Sequence, residues 1–140
     1  MKRRRGQGAK ADTTLGRVAM SLLFIHGGWG KLLAPAATQA MLASHHLPMV
    51  KYGWMLAVAV ELGGGLAILL GLFTRPVGLV LAIWCVATAL IAHTNFVDRN
   101  QEIHFLKNIG MMGGFLYVAA FGGGAWSLDA RWLRRGVSRR

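Results

Sequence analysis

Charge, acid and cysteine are scarce in this chain: of 140 residues, 15% are charged, five are Asp or Glu, and one is Cys. So few charges beside 54% hydrophobic residues and 19 glycines exclude an ordinary soluble domain. The lone cysteine, Cys85, excludes an internal disulfide and a CxxC thiol couple, and in the middle of an apolar run it reads as a small core residue. No Ser, His and Asp stand together in a plausible turn, which argues against a nucleophilic hydrolase. The glycine runs lie inside apolar segments with no strand before them, which argues against a phosphate-binding loop. No clear internal repeat is visible, so a transporter built on inverted repeats is not indicated.

What the chain does have is four apolar runs, each near the roughly 20 residues that a membrane-crossing helix needs. They fall at 15–33, 52–73, 76–94 and 105–123. The expected architecture is all-α, an integral membrane four-helix bundle: a basic tail over 1–14, the bundle over 15–124, and a basic amphipathic tail over 125–140. The turn "FTRP" at 73–76 is so short that the second and third runs must be antiparallel neighbours. Pro76 suits the first turn of the third helix, where its missing N–H costs nothing. Residues 36–44 fit a short helix in the first loop, with Pro48 beyond it. Ser127 is a candidate N-cap for a short interfacial helix at the C-terminus, with Trp126 and Trp132 in an aromatic belt.

The net charge of +11 would suggest nucleic acid if its bases formed one patch, but they stand at the ends of the apolar runs. With the N-terminus in the cytoplasm, twelve lie inside: Lys2, Arg3, Arg4, Arg5, Lys10, Arg17, Arg75, Arg131, Arg134, Arg135, Arg139 and Arg140. Four lie outside: Lys31, Lys51, Arg99 and Lys107. The positive-inside rule therefore puts both termini in the cytoplasm, with the basic tails against anionic lipid, and nucleic acid is not an expected partner. "APAA" at 34–37 imitates a signal-peptide cleavage site, but Arg17 and Lys31 inside the preceding stretch argue against one.

Polar residues concentrate in the outer half. Counting about 1.5 Å per residue from the outer ends, Glu61 lies roughly 13 Å deep, His26 roughly 10 Å and Asn108 roughly 6 Å, with Lys31, His93, His104 and Lys107 near the rim. A lone carboxylate at that depth must be protonated, paired or open to water, and His26, Lys107, Lys31 and Asn108 are its candidate partners. Two roles stand open for Glu61: a buried hydrogen bond that locks helices, or proton exchange with a bound small molecule. His104, Lys107, Asn108 and Met111 follow the spacing of one helix face. His93 and His104 flank the third loop and are placed to meet, but with no acidic or cysteine companion at ligand spacing a metal is not expected. Adjacent His45 and His46 would point apart on a helix and do not make a metal pair. Glycines at 27, 28, 30, 63, 64, 65, 110, 113 and 114 are read as the seam where helix backbones approach. Arg75 and Asp129 are expected to form a structural ion pair at the inner end.

Arg17 with Phe24, Gly28 and Lys31, then "VELGGGLAILLGLFTRP", His93, "QEIHFLKN" and "GGGAWSLDA" together resemble the DoxX family of small bacterial inner-membrane proteins. The resemblance runs from Arg17 to Asp129 and lies in the series of blocks rather than in any one of them. It implies a four-helix membrane bundle associated with redox processes. Relatives include small subunits of thiosulfate:quinone oxidoreductase, partners in membrane oxidoreductase complexes, and proteins beside quinone or catechol detoxification. Carried over by position, the family's polar sites are Arg17, Lys31, Glu61, Arg75, His93, Glu102, Lys107, Asn108 and Asp129; His26 stands one place from where a histidine often precedes the family glycine.

The expected function is quinone-linked or thiol-linked redox metabolism through an outer-half pocket. In it Glu61 would exchange protons, Lys31 and Lys107 would hold an anionic or phenolic ligand, His93, His104 and Asn108 would line the site, and Trp54 and Trp84 would supply aromatic walls. A quinone is the candidate ligand, and no cofactor motif is visible. The expected partners are the lipid bilayer, redox-enzyme subunits or further copies of the chain. The rival reading is a non-catalytic membrane subunit or scaffold, with small-molecule transport third.

Overall fold

A computed structural model describes the backbone of residues 2–137 and the side chains of residues 12–132. The side chains of the basic tails, from Lys2 to Lys10 and from Arg134 to Arg140, lie outside the described residues. Every regular element described is helical: α1 Lys2–Leu33, α2 Pro35–Ser44, α3 Val50–Val58, a π-helical turn Ala59–Gly63, α4 Gly64–Leu70, α5 Thr74–Ala92, α6 Arg99–Phe121 and α7 Leu128–Val137. α1 has no break at the expected end of the basic tail. α3, the π turn and α4 form one continuous segment, Val50–Leu70.

Two segments, Val50–Leu70 and Thr74–Ala92, are long and apolar enough to cross a membrane, yet only 22% and 28% of their apolar windows are buried in the protein. A soluble core helix of that composition would bury most of its surface. Here Leu22, Leu23, Ile83, Leu90 and Leu116 are all exposed, an outward apolar surface far larger than water tolerates on a soluble monomer. α1 and α6, with 32 and 23 residues, also have the length to span, but carry more charge.

The core is drawn from four helices: Phe24 of α1, Ile68 of α4, Leu81, Ala82 and Cys85 of α5, and Phe115 of α6. Phe24 and Phe115 meet edge to face with centroids 5.0 Å apart, the geometry their ring quadrupoles favour. Cys85 is fully buried among them. The seam expected from the glycines is partly there. At Gly28 a Cβ would sit 2.5 Å from the Leu62 nitrogen, so only glycine lets α1 approach that backbone. Gly30, Gly63, Gly110 and Gly113, in contrast, face open space and seal nothing within the chain.

Local chemistry sets the ends. Gly71, at φ 72°, closes α4 in the left-handed conformation. Pro76 stands in the first turn of α5, where no helical partner is lost. The Asp98 carboxylate caps α6 by accepting from the Asn100 amide at 2.9 Å, and the Ser127 hydroxyl caps α7 by accepting from the Ala130 amide at 3.1 Å. α7 is fastened to the α4–α5 turn in both directions. The Asp129 amide donates to the Gly71 carbonyl, while the Asp129 carboxylate accepts from the amides of Phe73 and Thr74. Thr13 of α1 lies against Gly124, and the Arg17 guanidinium donates to the Trp126 carbonyl at 3.2 Å. The N-terminal part of α1, the α4–α5 turn and the start of α7 therefore share one end of the molecule.

Candidate functional site

The other end carries the polar residues. Glu61 sits in the π-helical turn, 7% exposed. A π turn inserts one extra residue into the helical ladder and so rotates the residues beyond it, a device common at functional sites. Glu61 Oε2 lies 2.6 Å from Lys31 Nζ, and Oε1 accepts from Trp84 Nε1 at 3.1 Å. Gly27 leaves the room: a Cβ there would stand 3.0 Å from Oε2. The carboxylate thus joins α1, the α3–α4 segment and α5 at one point. Its partner is Lys31; of the other candidates, His26 is exposed and Asn108 is engaged elsewhere. The Lys31 side chain keeps 27% of its surface exposed, so the pair is buried on the carboxylate side and open on the ammonium side.

Both tryptophans act through their N–H groups. Trp84 donates to Glu61, while Trp54 donates to the Lys31 main-chain carbonyl at 2.8 Å and so fixes the end of α1 without reaching the carboxylate. One turn along α5 from Trp84, the Thr88 hydroxyl lies 3.2 Å from Asn108 Oδ1, and Asn108 Nδ2 donates to the His104 carbonyl at 3.0 Å. His93 and His104 do meet across the third loop: their rings stack with centroids 5.0 Å apart, and His93 Nδ1 is 2.7 Å from Gln101 Oε1. Among the described residues, no group of three or more His, Cys, Asp or Glu could hold a metal. Lys107, expected on the same inward face as His104 and Asn108, is exposed, whereas those two are half-buried. The i, i+3 position lies far enough around the helix to leave the buried stripe.

At the opposite end, the expected Arg75–Asp129 ion pair is not formed. Asp129 accepts from the Phe73 amide at 2.8 Å and from the amide and hydroxyl of Thr74 at 2.8 and 2.7 Å. Burial alone would raise the Asp129 carboxyl; those hydrogen bonds and the attraction of Arg17 outweigh it and hold the group below the usual aspartate range. Its cation is Arg17, 4% exposed, while Arg75 points over Gly122. The π turn and the Trp84 donor escaped the sequence reading. The excess of bases expected on the cytoplasmic side was visible, but not which of them would turn toward Asp129.

The DoxX family profile matches residues 13–94. Inner membrane protein YqjF of Escherichia coli (strain K12) is 41% identical over 115 residues, covering 81% of this chain and 85% of that protein. Inner membrane protein YphA of the same organism is 34% identical over 123 residues, covering 84% and 87%. No solved structure matches the chain. The matched stretch contains Arg17, Lys31, Glu61 and Trp84, which ties the helices just described to the profile. With two membrane-length helices and an apolar exterior, this chain belongs to the DoxX family, as a multi-pass protein of the bacterial inner membrane.

Proposed function

We propose that the protein binds a quinone or a related phenol at the Lys31–Glu61–Trp84 cluster and serves quinone-linked redox metabolism at the membrane. One observation carries the reading: a carboxylate buried among apolar helices is held at 2.6 Å from an ammonium group that remains partly open. Structural carboxylates in lipid are costly, and ionisable residues at that depth usually mark a substrate or proton path. The exposed side of Lys31 suits a quinone carbonyl or a phenolate oxygen, and Glu61 beside it suits the proton that such an oxygen gains or loses. Reduction of a quinone to a quinol takes two electrons and two protons. In this reading the electrons come from a partner redox enzyme, and this chain supplies binding and proton exchange. Thr88, Asn108, His104 and His93 extend polar groups from Trp84 to the end of the helices.

A second reading has its own support: both Glu61 oxygens already have partners, from two different helices, which is what a purely structural lock requires. In that case the protein is a scaffold or subunit of a larger membrane complex. Glu61→Gln in the purified protein separates the two. Under the first reading, the affinity for a ubiquinone analogue falls about tenfold or more, equivalent to about 1.4 kcal/mol. Unchanged affinity with a lowered melting temperature would establish the lock and remove the binding site.

A further inference from the structure

A groove at the other end of the molecule has no part in this chemistry. It lies between the α4–α5 turn and α7, encloses about 920 Å³, and is lined by Phe73, Arg75, Phe121, Gly122, Asp129 and Trp132 among others. We propose that this groove binds the headgroup of an anionic phospholipid, with Arg75 as the phosphate ligand. Arg75 is exposed, lies over Gly122, and has no ion-pair partner among the described residues, so its planar set of donors is free for a phosphodiester.

The carboxylate in the groove does not oppose an anion strongly. Asp129 is already bonded by three donors and feels the charge of Arg17 from α1, so much of its own charge is already answered. Three aromatic rings border the groove and are open to the surroundings. Phe73 and Trp132 meet edge to face at 6.0 Å, yet remain 57% and 54% exposed, and Phe121 is 74% exposed. Aromatic rings of this kind belong at headgroup level, where one side meets acyl carbon and the other water. Free phosphate would use Arg75 but leave those rings uncovered; a phospholipid occupies both. The site stands toward the opposite end from Glu61, so either reading can fail without the other.

The test is native mass spectrometry of the protein in a neutral detergent, titrated with dioleoyl phosphatidylglycerol or dioleoyl phosphatidylcholine. One phosphatidylglycerol per chain is expected to be retained in preference to phosphatidylcholine. Arg75→Gln should cut that retention about fivefold, as one basic contact to anionic lipid implies, and Lys51→Gln at the other end should leave it intact. Millimolar glycerol 3-phosphate should not displace the lipid. Equal retention of the two lipids, an equal loss in Lys51→Gln, or displacement by glycerol 3-phosphate overturns the proposal, the last making the groove a site for soluble phosphoesters. Should Arg75→Gln fail to fold, Phe121→Ala and Trp132→Ala on the exposed wall decide it: undiminished retention of phosphatidylglycerol in both rejects the site.

Discussion

At the residue scale, Gly28 and Gly110 look alike in sequence, each a glycine within a long helix, and differ entirely in what surrounds them. Gly28 meets the Leu62 backbone, whereas nothing lies within 4 Å of a Cβ built at Gly110. Gly28→Ala must push α1 away from the Glu61 turn and is expected to cost about 1–3 kcal/mol, the usual range for overpacking. Gly110→Ala gains helix propensity and should be neutral or stabilising by up to about 1 kcal/mol. Thermal melts of the two variants in one detergent check the contrast, and equal loss in both would contradict the packing described. Glu61 shows where sequence reading reaches its limit at this scale. Its oddity and depth were legible, and Lys31 was among four candidate partners. The choice among them depends on helix rotation, which the π turn alters, and a π turn has no compositional signature in AVELG.

At the element scale, the Asp129 side chain fastens the start of α7. Asp129 occupies the N-terminus of α5, where its charge meets two amides and a hydroxyl, and Arg17 balances it from α1. Asp129→Asn keeps the shape but gives up the charge and one acceptor, and should weaken docking of α7 by about 2 kcal/mol. Faster hydrogen exchange at the Phe73 and Thr74 amides would report it. The sign of the pH dependence is set by a carboxyl held below its ordinary value. Its contribution is whole at neutral pH, begins to fall as pH drops through the unfolded value of about 3.9, and vanishes below the depressed folded value. Protection of those amides should therefore be flat from pH 7 to 5 and collapse only in stronger acid. Loss between pH 7 and 5 would mean that another group holds the helix. Short helices, caps and the antiparallel turn were readable here, since Ser127, Pro76 and FTRP act locally. The Arg75–Asp129 pairing was misjudged because backbone donors compete for a carboxylate and leave no mark in composition.

At the scale of the whole molecule, the four long helical segments fall on the four apolar runs, α1 reaching further toward the N-terminus, because length and hydropathy are summed over many positions and survive local error. How many of the four cross the bilayer, and in which direction, rests on charge. We propose that all four cross, with both chain ends on the cytoplasmic side. Thr13 and Arg17 of α1 touch Gly124 and Trp126 before α7, so these two parts of the chain are neighbours in space. The twelve bases assigned to that side, against four on the other, give its orientation. A C-terminal fusion to a reporter active only outside the inner membrane should be silent, and the same reporter inserted at residues 95–98, in the loop between α5 and α6, should be active. An active C-terminal fusion would invert the arrangement. It would also move Arg75 and its groove to the outer leaflet, placing Glu61 and the stacked histidines on the cytoplasmic half, where a quinone partner would have to dock from the opposite side.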